Sequence, residues 1–336
     1  MKKTRPAPEL ICPAGTPSAL IAAVDAGANA VYCGFQNATN ARNFPGLNFT
    51  AKELAEGVHY AHSADCKVLL ALNTFLPATQ EKLWQQAVQD GAALGVDAFI
   101  LADIGVMAYA ARKAPRVRRH LSVQAGASSP EAIRYYCEEF GIRRVVLPRI
   151  LTVEEIAEIH GQVKCEIEAF LFGNIGMMAE GRCSLSNYVT GLSTNMDGVC
   201  SPAECVRYTH DPNGQMSSWL GNRLIDRFSG SEAAGYPTIC KGRYYLEGHR
   251  DPRYVFEEPV SLNLSGLLPQ MIEAGVSAFK IEGRQRSRAY VQTVVSAFRR
   301  ALQAIERGER AEMPDLLAVT EGQRETEGAF RSRKWR

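Results

Sequence analysis

Apolar positions along this chain fall into two alternating rhythms. Stretches 18–34, 85–103 and 267–283 (SALIAAVDAGANAVYCG, QQAVQDGAALGVDAFILAD and LLPQMIEAGVSAFKIEG) each read as an amphipathic helix stopped at a glycine, then a short continuous apolar strand ending in a polar or glycine residue. One αβ unit is used again and again. Further apolar runs predict strands at 10–13, 67–73, 120–124, 143–147 and 165–172, which with 30–34, 97–101 and 278–282 make eight. Strands without a polar face, separated by helices, imply a parallel sheet covered on both sides. Eight of them match a (β/α)8 TIM-like barrel, with a doubly wound open sheet as the alternative. The count closes when 173–259 is an insertion after the seventh strand and the seventh helix is 267–274. The barrel then occupies 1–172 and 260–310, followed by a tail at 311–336.

In such a barrel the side chains at the C-terminal strand ends converge on one rim. Those ends carry Asn73, Asp103, Gln124, Arg149, Glu282 and Arg284, and the long loop after the second strand adds Arg42 and Asn48. Each taken singly also suits a helix cap or a loop hydrogen bond. Together they suggest a polar pocket in which guanidinium forks meet a small carboxylate or phosphate.

Composition places few limits on function. The 336 residues are 46% hydrophobic and 22% charged, with a net charge of +2, so no global field draws the chain to nucleic acid. Its first residues lack the apolar core of a signal peptide, and no run approaches a membrane span. With nine cysteines and no export signal, the expectation is a cytoplasmic protein with reduced thiols. Four of them, Cys183, Cys200, Cys205 and Cys240, lie in the glycine-rich insertion on the catalytic rim, where a metal or an iron–sulfur centre is the leading reading. Their spacing lacks the close pairs of structural zinc sites and leaves zinc, iron–sulfur and packed thiols all open. The surrounding GRCS, DGVCSPAEC and GYPTICKGRY supply backbone N–H groups suited to cluster sulfurs, which tilts the reading toward iron–sulfur.

Common catalytic signatures are missing: GxSxG, HExxH, GxxxxGK[ST] and GxGxxG do not occur. His59 and His62 share a helix face and read as solvated more readily than as ligands. The basic stretch 112–119 (RKAPRVRR) precedes the fifth strand, on the rim away from the cysteines, and is expected to be a solvated loop. The closing RSRKWR is weak evidence for nucleic acid.

The motifs LICPAG, GANAVYCGF, TNARNFPGLNF, ALNTF, ILAD, HLSVQA, EGRCSLSNYVTG, VCSPAECVRY, GYPTICKGRY and KIEGRQRSRAYV, with the closing GAFRSRKWR, resemble the collagenase-like peptidase family almost end to end. Within it they are most similar to the UbiU-like branch of oxygen-independent hydroxylase subunits in anaerobic ubiquinone biosynthesis. Despite the family's name, this resemblance implies hydroxylation of a ubiquinone-ring precursor, with prephenate as oxygen donor. It also implies a heterodimer with a UbiV-like protein, a lipid-carrier protein delivering the intermediate, and a [4Fe-4S] cluster on four cysteines. Arg42, Arg149 or Arg284 would then hold the donor's carboxylate, and Glu282 would orient or exchange a proton. Related members hydroxylate tRNA or ribosomal RNA, which gives a second reading. A third is a non-catalytic partner subunit.

Three of the family's ligands fall on Cys183, Cys200 and Cys240. The fourth falls on Gly176, which has no side chain to bind iron. Either Cys205 substitutes, or one iron stays open, or the cluster is absent.

Overall fold

The structure, a computed structural model, describes residues 7–176 and 183–332. Seven parallel strands come first: β1 (Glu9–Pro13), β2 (Ala30–Cys33), β3 (Lys67–Leu72), β4 (Ala98–Leu101), β5 (Arg118–Leu121), β6 (Arg144–Val146) and β7 (Glu166–Asn174). Between them run α1 (Pro17–Asp25), α2 (Ala51–Ser63), α3 (Glu81–Ala93), α4 (Ile104–Lys113), α5 (Pro130–Phe140) and α6 (Val153–Gln162). After β7 the chain forms α7 (Leu185–Thr190), an antiparallel sheet of β8 (Val206–His210), β9 (Met216–Leu220) and β10 (Arg223–Phe228), and the small pair β11 (Arg243–Tyr244) and β12 (Arg253–Tyr254). It returns through β13 (Ser261–Asn263), α8 (Leu268–Glu273), β14 (Ala278–Ile281), α9 (Arg288–Glu306) and β15 (Glu325–Thr326). Strand β14 pairs in parallel with both β7 and β1, so the eight strands close into a barrel and the open-sheet alternative falls away.

Local chemistry sets the element boundaries. Thr50 and Thr152 open α2 and α6 with capping boxes closed by Glu53 and Glu155, and α5 stops at Gly141 in the left-handed region. The fifth strand lies at 118–121, two residues earlier than the pattern suggests, because Ser122 caps a 3-10 turn over Val123–Ala125. The expected seventh helix at 267–274 is α8, one residue shorter at each end.

Two cores flank the sheet. Outside it, Leu70, Phe99, Trp84 and Phe298 pack between strands and helices. Inside, Ile11, Ala30, Leu69, Ala71, Ala98 and Ala278 form a smaller cluster whose alanines leave room for charge. Glu168 is fully buried between Lys280 (2.7 Å) and Arg144 (3.5 Å). At the N-terminal pole of the barrel Glu9 bonds Lys67 (2.5 Å) and Arg144 (2.6 Å), while Glu166 bonds Arg118 (2.8 Å) and Arg144 (2.6 Å). A charged plug closes that pole.

Two expectations change here. Part of the basic stretch 112–119 is structural: Arg118 faces inward and pairs with Glu166, and Arg119 Nε donates to Phe140 O at 2.7 Å, satisfying the end of α5. The residues after 310 do not trail away. Ser261 N donates to Arg324 O, β15 pairs with β13, and Leu316, Ala329 and Phe330 are buried. The last four residues, 333–336, lie outside the described residues, as do 177–182 with part of the EGRC motif. No described helix is long and apolar enough to cross a membrane.

Candidate functional site

The loop between β2 and α2 builds one wall of the barrel mouth. Asn40 Nδ2 donates to Phe35 O (2.7 Å), Asn48 Nδ2 donates to Arg42 O (2.7 Å), and Asn73 Oδ1 accepts from Ala41 N (3.0 Å). These amides fix the backbone on either side of Arg42. Its Nη2 reaches Glu282 Oε1 at 2.8 Å, and Arg149 Nη2 reaches Glu282 Oε2 at 2.5 Å, so both carboxylate oxygens are engaged. Arg149 also stacks over Phe170, 3.4 Å from the ring centroid. Arg284 is buried, donating to Asn40 Oδ1 at 3.2 Å and lying 5.6 Å from the Tyr32 ring. The backbone carbonyl of Arg284 presses so close to Gly15 that a Cβ there would lie 1.8 Å from the oxygen.

These groups surround a cavity of about 80 Å³ in the barrel mouth, which Asn73, Ser122 and Gln124 also line. Four cations, Arg42, Arg149, Lys280 and Arg284, face it with one carboxylate, Glu282. Burial opposes the charge of Glu282, yet Arg149 and Arg42 outweigh it and hold the carboxyl below the usual carboxylate range. Burial pulls Arg284 down to about 10, which leaves it cationic at neutral pH. Lys280 is lowered by burial and supported by Glu168. The mouth carries an excess of cationic groups, and its single carboxylate is paired with two arginines.

The cysteine-bearing loops dock beside it. Asn43 N donates to Gly198 O at 2.9 Å and Phe75 N to Asn195 O at 2.8 Å, which seats the loop before Cys200 on the barrel rim. Gly198 has φ +78°, and a Cβ there would stand 2.1 Å from Asn40 O, so only glycine permits this approach. Burial raises the Cys200 thiol while Arg42 and the Ser201 hydroxyl pull it down, and Cys183 pushes it up. Cys240 is pushed up to about 11 by burial, eased by Lys241 and raised further by Glu257, Cys200 and Cys183. Lys241 ties this loop to the barrel, donating to Asn174 Oδ1 at 2.9 Å and to Glu321.

Cys183 acts on the Cys200 thiol, and both act on Cys240. Cys205 ends the 3-10 turn that precedes β8, and Tyr236 feels both Cys200 and, more weakly, Cys205. Among the described residues no three His, Cys, Asp or Glu side chains converge closely enough to hold a single metal ion. Tetrahedral zinc with bonds of about 2.3 Å needs its sulfurs within about 4 Å of one another. A polynuclear centre, in which each thiolate binds a different metal atom, tolerates wider separation than that. At Gly176, beyond the end of β7, a Cβ would meet nothing within 4 Å among the described residues.

The remaining sequence candidates divide. Asp103 caps α4, accepting from Val106 N at 3.1 Å, and Asn48 is a buried loop anchor. His62 Nε2 lies 2.9 Å from Asp97 Oδ2, which takes it away from any joint site with His59. Sequence reasoning missed Tyr32, Asn40, Lys280 and Ser201. Tyr32 and Lys280 share inward strand parity with Ala30 and Ala278, a signal that alternation within the strands contained.

A family model described as peptidase family U32 matches residues 15–334. The tRNA hydroxylation protein P1 of Bacillus subtilis is 34% identical over 302 residues, covering 88% of this chain and 63% of that protein. The 23S rRNA 5-hydroxycytidine C2501 synthase of Escherichia coli is 30% identical over 309 residues, covering 90% of this chain and 41% of the synthase. This chain thus spans less than two thirds of either relative. The solved U32 peptidase Mk0906 aligns with a TM-score of 0.49 at 14% identity, covering 84% of this chain and 96% of that one. From the family match and the identity to these relatives, the chain belongs to peptidase family U32.

Proposed function

We propose that this chain is a hydroxylase-type protein that holds a small carboxylate oxygen donor, such as prephenate, in its barrel mouth while a ring substrate is hydroxylated without molecular oxygen. The observation that carries this reading is the double role of Arg42. It bonds Glu282 in the cationic pocket and draws the Cys200 thiol down, which supports reading pocket and cysteines as one site. Hydroxylation itself is supported by the names of the relatives.

In this site Arg42, Arg149 and Arg284 bind the donor's carboxylate, and Glu282 holds two of these guanidinium groups in fixed planes. A carboxyl kept below the usual range is a weak base, so Glu282 positions the arginines and does not take up a proton. Cys183, Cys200 and Cys240 would hold an iron–sulfur cluster, whose contribution when bound is electron transfer or Lewis acidity beside the anion pocket. Gly176 would leave one metal position without a protein ligand.

Two ring classes are in view. The relatives' names favour an RNA base. A ubiquinone-ring precursor is the second reading, carried by the motif resemblance and by the insertion's exposed apolar side chains. Tyr188, Tyr245, Leu246, Val255 and Phe256 suit a lipid-bearing substrate, its carrier or a UbiV-like partner. Deleting the gene and examining anaerobically grown cells by mass spectrometry separates the two. Loss of a hydroxylated nucleoside supports RNA, accumulation of an unhydroxylated quinone precursor supports the lipid ring, and neither change overturns the proposal.

A further inference from the structure

The barrel mouth holds one group that the carboxylate site leaves without a task. Lys280, on β14, is the one primary amine among the described residues lining the cavity, which it shares with Arg42, Arg149 and Arg284. Its side chain is 7% exposed. Nζ donates to Glu168 Oε1 at 2.7 Å and stands 4.0 Å from the centroid of the Tyr32 ring, which also has the Arg284 guanidinium 5.6 Å away. Amine and guanidinium thus approach one aromatic side chain. Arg284 is buried, yet it makes no ion pair among the described residues, and its side-chain bond goes to the neutral amide oxygen of Asn40. A buried guanidinium without a carboxylate partner calls for an anion from outside.

We propose that Lys280 captures a small 2-oxo acid as a Schiff base, with the acid's carboxylate on Arg284 and its ketone carbon against Nζ. This capture presupposes the carboxylate site proposed above and narrows its ligand to acids with a ketone beside the carboxylate, the class to which prephenate belongs. A lysine buried beside other cations is the kind that reacts as a neutral amine. Burial lowers Lys280, Glu168 opposes that, and Arg284 and Arg144 lower it further. Lys280 passes one proton to Glu168, and the freed amine adds to the ketone carbon, giving a carbinolamine whose oxygen takes that proton back. The nitrogen lone pair then expels the hydroxyl, which leaves as water with a second proton from nitrogen. The balance is one ammonium plus one ketone to one iminium plus one water. No oxidant is consumed, and the positive charge facing Glu168 is kept, so the buried ion pair survives the reaction.

Trapping with pyruvate tests this on the whole chain. Protein and pyruvate are treated with sodium cyanoborohydride, which reduces an iminium to a stable secondary amine, and the product is digested with trypsin. A modified Lys280 resists cleavage, so the expected product is peptide 254–284, heavier by one pyruvic acid less an oxygen atom. Lactate, which has the carboxylate but no ketone, should give no adduct and should compete with pyruvate. Arg284→Gln should lower the yield at Lys280 about tenfold or more. An unmodified Lys280, labelling no greater than at the exposed Lys52, or an equal yield in Arg284→Gln overturns the proposal. Calorimetry with pyruvate and no reductant separates the causes. Binding without an adduct removes the covalent step alone, whereas no binding removes the carboxylate site as well.

Discussion

Arg42 joins the two halves of the site, and single substitutions there read both. Replacing it with alanine removes a charge-assisted bond worth about 1.5–3 kcal/mol. The affinity for a carboxylate donor should fall about tenfold to a hundredfold, measured by titration calorimetry with prephenate. Unchanged affinity would remove Arg42 from the pocket. Gly176→Cys is the opposite kind of change. Its Cβ meets nothing within 4 Å among the described residues, so the variant should fold with its unfolding midpoint unchanged and bind one more metal-accessible thiol. The arginines and Glu282 were legible from sequence because barrel geometry sends strand-end side chains to one rim. Their mutual pairing was not, since 240 residues separate Arg42 from Glu282 and no local pattern encodes that contact.

The seating of the 195–200 loop on the loop after β2 governs whether Cys200 reaches the site. Gly198→Ala would drive a methyl group into Asn40 O at a backbone angle that disfavours any side chain, costing about 2 kcal/mol or more. The prediction is a lower unfolding midpoint together with loss of bound metal, whereas Gly176→Cys shifts neither downward. Equal behaviour of the two glycine variants would contradict this picture of the rim. Helices and strands were readable because the αβ unit repeats with its caps. The insertion was readable only as an interruption, since β8–β12 are short and take their places from long-range bonds such as Lys241 to Glu321.

For the whole molecule, the charged plug at the N-terminal pole sets the response to acid. Burial raises Glu9 and Glu166, but bonds from Lys67 and Arg144 to the first, and from Arg118 and Arg144 to the second, leave both below the usual 4.5. A folded-state pKa below the unfolded value stabilises above the unfolded value, and that contribution disappears as pH falls through the folded one. Thermal midpoints should therefore drop steeply as pH falls below about 4.5, and Arg144→Met should flatten that dependence. Removing this buried cation also leaves Glu168 with one partner, a loss of about 3–5 kcal/mol at neutral pH, readable by denaturant unfolding. A midpoint indifferent to acid would contradict the plug. None of this network was visible in the sequence, because its charges alternate with apolar residues inside strands that read as continuous hydrophobic runs.

The proposed centre sets Cys183, Cys200 and Cys240 beside the cationic pocket of the barrel mouth. Iron and acid-labile sulfide analysis with EPR on anaerobically purified protein, alongside Cys200→Ser and Cys205→Ser, tests it most directly. The expected result is iron and sulfide in near-equal amounts in the parent protein and in Cys205→Ser, and their loss in Cys200→Ser. Iron-free parent protein that still supports hydroxylation, or loss of the centre in Cys205→Ser, would contradict it.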